Sequence, residues 1–275
     1  MQIKIYYSMK KNRYDAYSNY YYKYSKKKKI KSKLLSIFFV LFSLAVVIFF
    51  SISFSNFLNI SKIVNTNTNF INNNKTLYAL SLYQSTNLET CQNYKEELIK
   101  QGGAGYIYFD NNVYNVLSSV YPSLKEANSV KANLEQSGVS SSVLKIELPV
   151  INFKINLTTK SREILNEGIS LFYNNYLKLY NLSNEYDKSS IDFISLKTQV
   201  NNLYESNKNI IENYNNYFNT SSNIYILYLK IYLNKLNVII KNFQTLDESV
   251  NVSSKIKETY CNVLSLYKNL YNEMI

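Results

Sequence analysis

The side chain that does most acid and base work near neutral pH is missing, because the 275-residue chain contains no histidine. Imidazole proton transfer, serine-protease-like triads and His-containing zinc sites are excluded from the start. Glu96 and Glu97 stand side by side, but adjacent residues on a helix project in different directions and cannot flank one bond as a hydrolytic pair must. The run GGAG at Gly102–Gly105 lacks the Gly-Lys-Ser/Thr that a phosphate loop requires and is better explained as helix termination. No catalytic constellation, metal site or cofactor site stands out. The chain reads as a binding or structural protein, not an enzyme.

The elements around these residues are built in two copies. At a fixed offset of 36 positions Tyr78 matches Tyr114, Leu88 matches Leu124, Lys95 matches Lys131, Leu98 matches Leu134 and Gly102 matches Gly138. In the first copy LYALSLY (Leu77–Tyr83) alternates as a half-buried strand, with Tyr78, Leu80 and Leu82 on one face and Ala79, Ser81 and Tyr83 on the other. A helix with apolar Leu88, Cys91, Tyr94 and Leu98 follows, opened by a Thr86/Glu89 capping box and closed by Gly102. AGYIYF is the next strand, and DNN at Asp110–Asn112 makes a tight turn. The second copy repeats the plan with VYNVLSSV, a Ser123/Glu126 capping box, an apolar stripe of Leu124, Ala127, Val130 and Leu134, Gly138 as stop, and SSVLKIEL.

The order is βαββαβ. Two right-handed βαβ units joined by a hairpin predict a four-stranded antiparallel sheet with both helices on one face and the first and third strands in the middle. The other face is then uncovered, and a ligand would go there. Cys91 takes the helix position of Ala127 in the second copy, which points to a small buried side chain and not to a disulfide with Cys261 or a metal ligand.

The net charge of +12 suggests nucleic acid until it is located. Residues 1–33 hold ten Lys and Arg13 against Asp15, so only +2 remains for everything after them. Within residues 76–149 five Lys face seven Asp and Glu, and the paired aromatics of an RNA-binding βαββαβ domain are missing, so no nucleic-acid partner is expected. The basic tail leads into Leu34–Phe54, 21 residues without a charge. At about 1.5 Å per residue such a run spans a bilayer core of roughly 30 Å. We read residues 34–55 as an uncleaved transmembrane helix with the N-terminus cytoplasmic and everything beyond it extracytoplasmic. Residues 56–75, polar and Asn-rich, form a linker from the membrane.

After a connector at 150–160 the pattern becomes helical throughout 161–275. Phe193, Leu196, Val200, Leu203, Asn207, Ile210, Tyr214 and Tyr217 form a heptad seam with one polar interruption, which needs a partner and permits dimers. Ile224–Phe243 is more apolar, but Lys230, Lys235 and several Asn make it a bundle helix and not a second span. A last helix carries Ile256, Val263, Leu266, Leu270 and Met274. The expected class is α+β: a ferredoxin-like βαββαβ domain at 76–149 after one membrane helix, then an all-α bundle of three or four helices.

The doubled strand, polar turn, Glu-Ala and L-x-x-x-G pattern, with YNVLSSVYPSLKEANSVKANLEQSG in its second half, resembles the SPOR (sporulation-related repeat) domain family of bacterial cell-envelope proteins. The resemblance covers Thr76–Pro149, about a quarter of the chain. It implies binding of peptidoglycan glycan strands at division or sporulation septa, through the open sheet face around the first and third strands. Where the family often has Gln, Gly and Ser on and after the first strand, this chain has Ser81, Tyr83 and Gln84; for the usual Arg and Gly of the third strand it has Asn115 and Ser119. By that resemblance Ser81, Gln84, Asn115 and Ser119 would bond sugar hydroxyls, with Tyr83 and Leu117 against ring faces. The helical bundle would take a protein partner. An alternative reading is a structural membrane adaptor in which the SPOR-like and helical domains both bind proteins and no glycan is bound.

Overall fold

The computed structural model describes residues 74–151, 155, 157–247 and 251–275. The basic tail, the expected membrane span and the linker as far as residue 73 lie outside the described residues. Among the described residues no helix is long and apolar enough to cross a membrane.

The duplicated unit folds in the expected order: β1 (Lys75–Ser85), α1 (Leu88–Lys100), β2 (Tyr106–Asp110), β3 (Val113–Tyr121), α2 (Leu124–Gln136) and β4 (Ser142–Leu148). The strands run β2-β3-β1-β4 with every neighbour antiparallel, so the first and third are central. Asn111 and Asn112 take the left-handed conformation, at φ 49° and 62°, that a two-residue hairpin turn needs between β2 and β3.

The two helices end identically. In α1 the Gly102 N–H donates to the Ile99 carbonyl and Gly103 N–H to Leu98; in α2 Gly138 donates to Glu135 and Val139 to Leu134. Gly102 and Gly138 sit at φ 82° and 79°, where only glycine is unstrained, so each helix closes in a Schellman motif. Ser123 caps α2 as expected, accepting from the Glu126 N–H at 3.2 Å. For α1 the expectation is corrected by one position. Asn87, not Thr86, is the cap, and its side-chain oxygen accepts from the amides of Glu89 at 2.8 Å and Thr90 at 3.4 Å.

The helical region supplies α3 (Thr159–Asp187), α4 (Phe193–Tyr217), α5 (Ile224–Gln244) and α6 (Val252–Met274). Thr158, Asp192, Asn223 and Asn251 each cap one of them with a side-chain oxygen. Helix α3 packs on α4 and α6, and α5 packs on the same two. The heptad seam of α4 is half realised. Leu196, Val200, Asn207 and Tyr214 are buried, while Ile211 is buried in place of Ile210 and Tyr217 is exposed. A straight helix with 3.6 residues per turn drifts off a 3.5-residue repeat over this length. The polar interruption is paired inside the bundle: Asn207 and Asn175 of α3 exchange side-chain amide hydrogen bonds at 2.7 and 3.1 Å. Such a buried pair fixes the register of α3 on α4.

One contiguous core runs from Leu77 and Ile146 of the sheet through Phe172 and Tyr176 to Leu270 of α6. A smaller cluster of Cys91, Leu98 and Val116 lies between α1 and the sheet. The described sheet and helices fall in a single compact unit.

Candidate functional site

The registers define the two faces of the sheet. On β1 and β4, Leu77 opposes Ile146 and Ala79 opposes Leu144; on β1 and β3, Ala79 opposes Val120 and Ser81 opposes Leu117; on β2 and β3, Tyr106 opposes Leu117 and Tyr108 opposes Asn115. Directly paired residues share a face, so these form the face away from α1 and α2. It is not open. Cys261, Leu264, Ser265 and Lys268 of α6 lie over Leu117, Val120, Tyr106, Tyr108, Ile146 and Leu148, with a residual cavity of about 40 Å³ between the layers. The Lys268 ammonium sits 4.7 Å from the centre of the Tyr108 ring and donates to its hydroxyl. Ser265 hydrogen-bonds Tyr106, and burial pushes the Tyr106 phenol up.

The expectation of an uncovered face is thus corrected, and the reason is chemical. Leu77, Ala79, Leu117, Val120, Ile146 and Leu148 are all apolar and nearly inaccessible, and six such side chains would expose a patch that a folded chain covers. Helix α6 supplies the cover.

A second contact closes an edge. Strand β2 pairs with β3 only as far as Leu117, leaving the β3 backbone beyond it without a strand neighbour on that side, while β1 still pairs it on the other. Ala104 N–H donates to the Ser118 carbonyl, and the Tyr176 hydroxyl of α3 donates to the Val120 carbonyl at 3.2 Å. Ser119 Oγ and the Tyr260 hydroxyl of α6 lie 2.7 Å apart. Around them Tyr121, Tyr176, Tyr180 and Tyr260 pack ring to ring at centroid separations of 5.7 to 6.2 Å. Burial pushes the Tyr121 phenol up to about 12 and those of Tyr176 and Tyr260 well above the ordinary value. Burial likewise raises the Cys261 thiol. These groups are neutral at physiological pH, so the cluster offers packing and hydrogen bonds and no charged nucleophile.

Of the six residues expected to meet glycan, four are buried. Ser81 donates to the Tyr83 carbonyl at 3.0 Å. The Asn115 side chain donates to the carbonyls of Tyr108 and Val113 at 3.3 and 3.2 Å. Leu117 lies under α6, and Ser119 bonds Tyr260. Two β-bulges divide the set further. The β1/β3 register shifts between Leu80 and Ser81 and again between Ser81 and Tyr83, so strict alternation fails there. Tyr83 consequently opposes Val116 and stacks on Tyr94 of α1 at 4.8 Å, on the helix-covered face. Gln84 is exposed, donating to Ser142 Oγ at 2.9 Å.

An accessible concavity that sequence reasoning missed lies where α1 and α2 meet the helical region. Leu82, Leu98, Val130 and Leu134 give it apolar walls, and Asp187 and Lys257 stand at its end; its volume is about 350 Å³. Lys257 bonds the Asp187 carboxylate at 2.7 Å and the Gly102 carbonyl at 2.8 Å, while Ser253 donates to Asp187 at 2.6 Å. These groups already satisfy one another. Their signal in the sequence is faint, since Asp187 and Lys257 reach the first repeat from two distant helices.

No family model matches the chain, and no curated protein matches it. Among solved structures it is similar to the solution structure of the peptidoglycan binding domain of the B. subtilis cell wall lytic enzyme CwlC, at 14% identity over 26% of this chain and 91% of that one, with a TM-score of 0.23.

Proposed function

We propose that this chain is a non-catalytic adaptor of the cell envelope, held by a single N-terminal membrane helix with its cytoplasmic tail inside and the sheet and helical region outside. In this reading the SPOR-like unit serves as one half of a protein-binding body and its sheet face away from α1 and α2 is spent on internal packing. The observation that carries it is the cover: Leu117 and Val120 lie beneath α6, and Ser119 is bonded to Tyr260 at 2.7 Å. A polysaccharide cannot reach Leu117 or Ser119 without displacing α6, which carries much of the apolar core, and Ser81 and Asn115 are themselves buried with their side chains bonded to neighbouring carbonyls.

A second reading keeps a reduced glycan contact at the one exposed end of the predicted site. Gln84 is accessible beside Ser142, and the stacked Tyr83 and Tyr94 rings are half-buried next to it. Aromatic faces flanked by amide and hydroxyl groups suit sugar rings.

Co-sedimentation of the detergent-solubilised full chain with amidase-treated cell-wall sacculi separates the two. The adaptor reading expects no retention above a membrane-protein control. Retention abolished by Gln84→Ala would establish the second reading, and retention abolished by Asn115→Ala but not by Gln84→Ala would overturn both, because the buried face must then open.

A further inference from the structure

Helix α5 carries two apolar faces, and only one of them is packed against other described residues. Leu229, Leu233, Leu236, Ile240 and Phe243 are buried in the bundle. On the other side Ile224, Leu227, Ile231 and Val238 are exposed at 51%, 37%, 47% and 54%. Together with exposed Asn234 and Lys241 they follow one another at alternating steps of three and four residues, which makes a single stripe along the helix. Beside it a shallow groove is walled by Ile231, Val238, Ile239 and Leu266 of α6. A continuous apolar surface of this kind on a folded body marks a contact.

The charges around the stripe decide what kind. Helix α5 contains Lys230, Lys235 and Lys241 and no acidic residue. One carboxylate of α6, Glu273, lies near enough to Tyr232 to act on it electrostatically, and the helix's own charges are all positive. A second copy laid stripe to stripe in parallel would set Lys235 against Lys235 and Lys241 against Lys241, a repulsive arrangement. An anionic lipid surface accepts the same features together: apolar side chains enter the acyl boundary while lysine stems run along it and their ammonium groups reach phosphates.

The rest of the chain puts such a surface within reach. If Leu34–Phe54 spans the bilayer, residues 56–73 tether the described body to it, and those 18 residues extend to at most about 65 Å. Tethering turns a weak surface contact into an intramolecular one at high effective concentration. We infer that the exposed face of α5 docks the body on the anionic lipid leaflet beside its own anchor. This rests on the membrane reading for its strength but not for its chemistry.

The test places an environment-sensitive fluorophore at Asn234→Cys and, as control, at Gln136→Cys in the full chain reconstituted into vesicles. One set is phosphatidylcholine alone, the other contains phosphatidylglycerol at roughly one lipid in three. Docking predicts a blue-shifted emission at position 234 that is quenched by brominated lipid at least about twofold more strongly in the anionic vesicles, falls with added salt, and is lost in the Lys230/Lys235/Lys241→Gln variant, with no change at position 136. Identical emission in both vesicle types overturns the inference. So does a blue shift that vanishes at one chain per vesicle, because a second copy then covers the stripe. Flotation reports the anchor separately: a chain that floats only with anionic vesicles lacks the membrane span yet docks, and one that floats with both but gives a silent probe is anchored and does not dock.

Discussion

The two copies of the repeat have nearly the same backbone and opposite relations to the rest of the molecule. In the first copy the end of α1 is a docking point: Ser254 and Lys257 of α6 donate to the carbonyls of Gly103 and Gly102, Ser253 Oγ lies 3.3 Å from the Gly102 carbonyl, and Asn251 donates to that of Lys100. In the second copy the end of α2 is bare among the described residues, where a Cβ built on Gly138 meets nothing within 4 Å. The helical region reaches that copy at Ser119, Val120 and Tyr121 of its strand and, through the Tyr180 hydroxyl, at Glu126 in the first turn of α2. Duplication thus fixes how each unit folds, while packing against α3 and α6 decides what each unit is for. Positions equivalent by sequence should therefore differ in energetic weight.

The largest difference is expected at Leu98 and its counterpart Leu134. Leu98 is buried, whereas Leu134 is half-exposed. Leu98→Ala should cost about 2–5 kcal/mol and Leu134→Ala roughly half of that or less, read from urea unfolding of the full chain in detergent by near-ultraviolet tyrosine dichroism. Equal losses would mean that docking leaves the two copies energetically alike.

Next in size is the contact that closes the second copy. Ser119→Ala leaves the fully buried Tyr260 hydroxyl without its partner at 2.7 Å, which should cost about 1–3 kcal/mol. Combining it with Tyr260→Phe removes both polar groups, so the double variant should be less destabilised than the sum of the two singles. Additive losses would show that the hydroxyl pair contributes nothing as a pair. The equivalent of Ser119 in the first copy is Tyr83, which stacks on Tyr94 instead, so the same cycle there reports ring packing alone.

Much of this was legible in the residues. The fixed offset, the alternation and the glycine stops define the βαββαβ order, the central strands and both helix ends. What the residues hid was the cover. Ala79, Leu117, Val120, Ile146 and Leu148 read equally well as the inward side of a sheet with a ligand face or as the floor for another helix, and nothing local in α6 announces where its apolar stripe will land. The bulges around Ser81 and Ser118 were hidden for a related reason. A strand pattern of LYALSLYQS shows no break, and only the pairing reveals that Tyr83 turns toward α1. The six expected site residues scatter because that register slips twice.

The two glycine stops give a smaller contrast. Both hold left-handed conformations, so Gly→Ala should cost each about 1–2 kcal/mol. At Gly102 the added methyl also approaches Ser253 Oγ at 3.3 Å, and the carbonyl of this residue accepts from Lys257. Gly102→Ala should therefore lower the melting temperature more than Gly138→Ala. The reverse order would show that the helix end of the first copy yields freely to α6.

The smallest effect concerns Lys95 and Lys131, again one position in two copies. Lys131 reaches Glu135 one turn along its own helix at 3.5 Å, whereas Lys95 reaches across to Glu258 of α6 at 3.6 Å. Both pairs are partly solvated, and Glu258 retains Lys255 at 2.6 Å when Lys95 is removed. Lys95→Ala should thus cost no more than about 0.2–1 kcal/mol and Lys131→Ala about 0.3–0.5 kcal/mol. Salt distinguishes them better than size. Both losses shrink as ionic strength rises, but only Lys95→Ala should loosen the seam between α1 and α6, seen as faster hydrogen exchange at the amides of Gly102 and Gly103. Unchanged exchange there would assign that seam to the backbone carbonyl contacts alone and leave the ion pair as surface decoration.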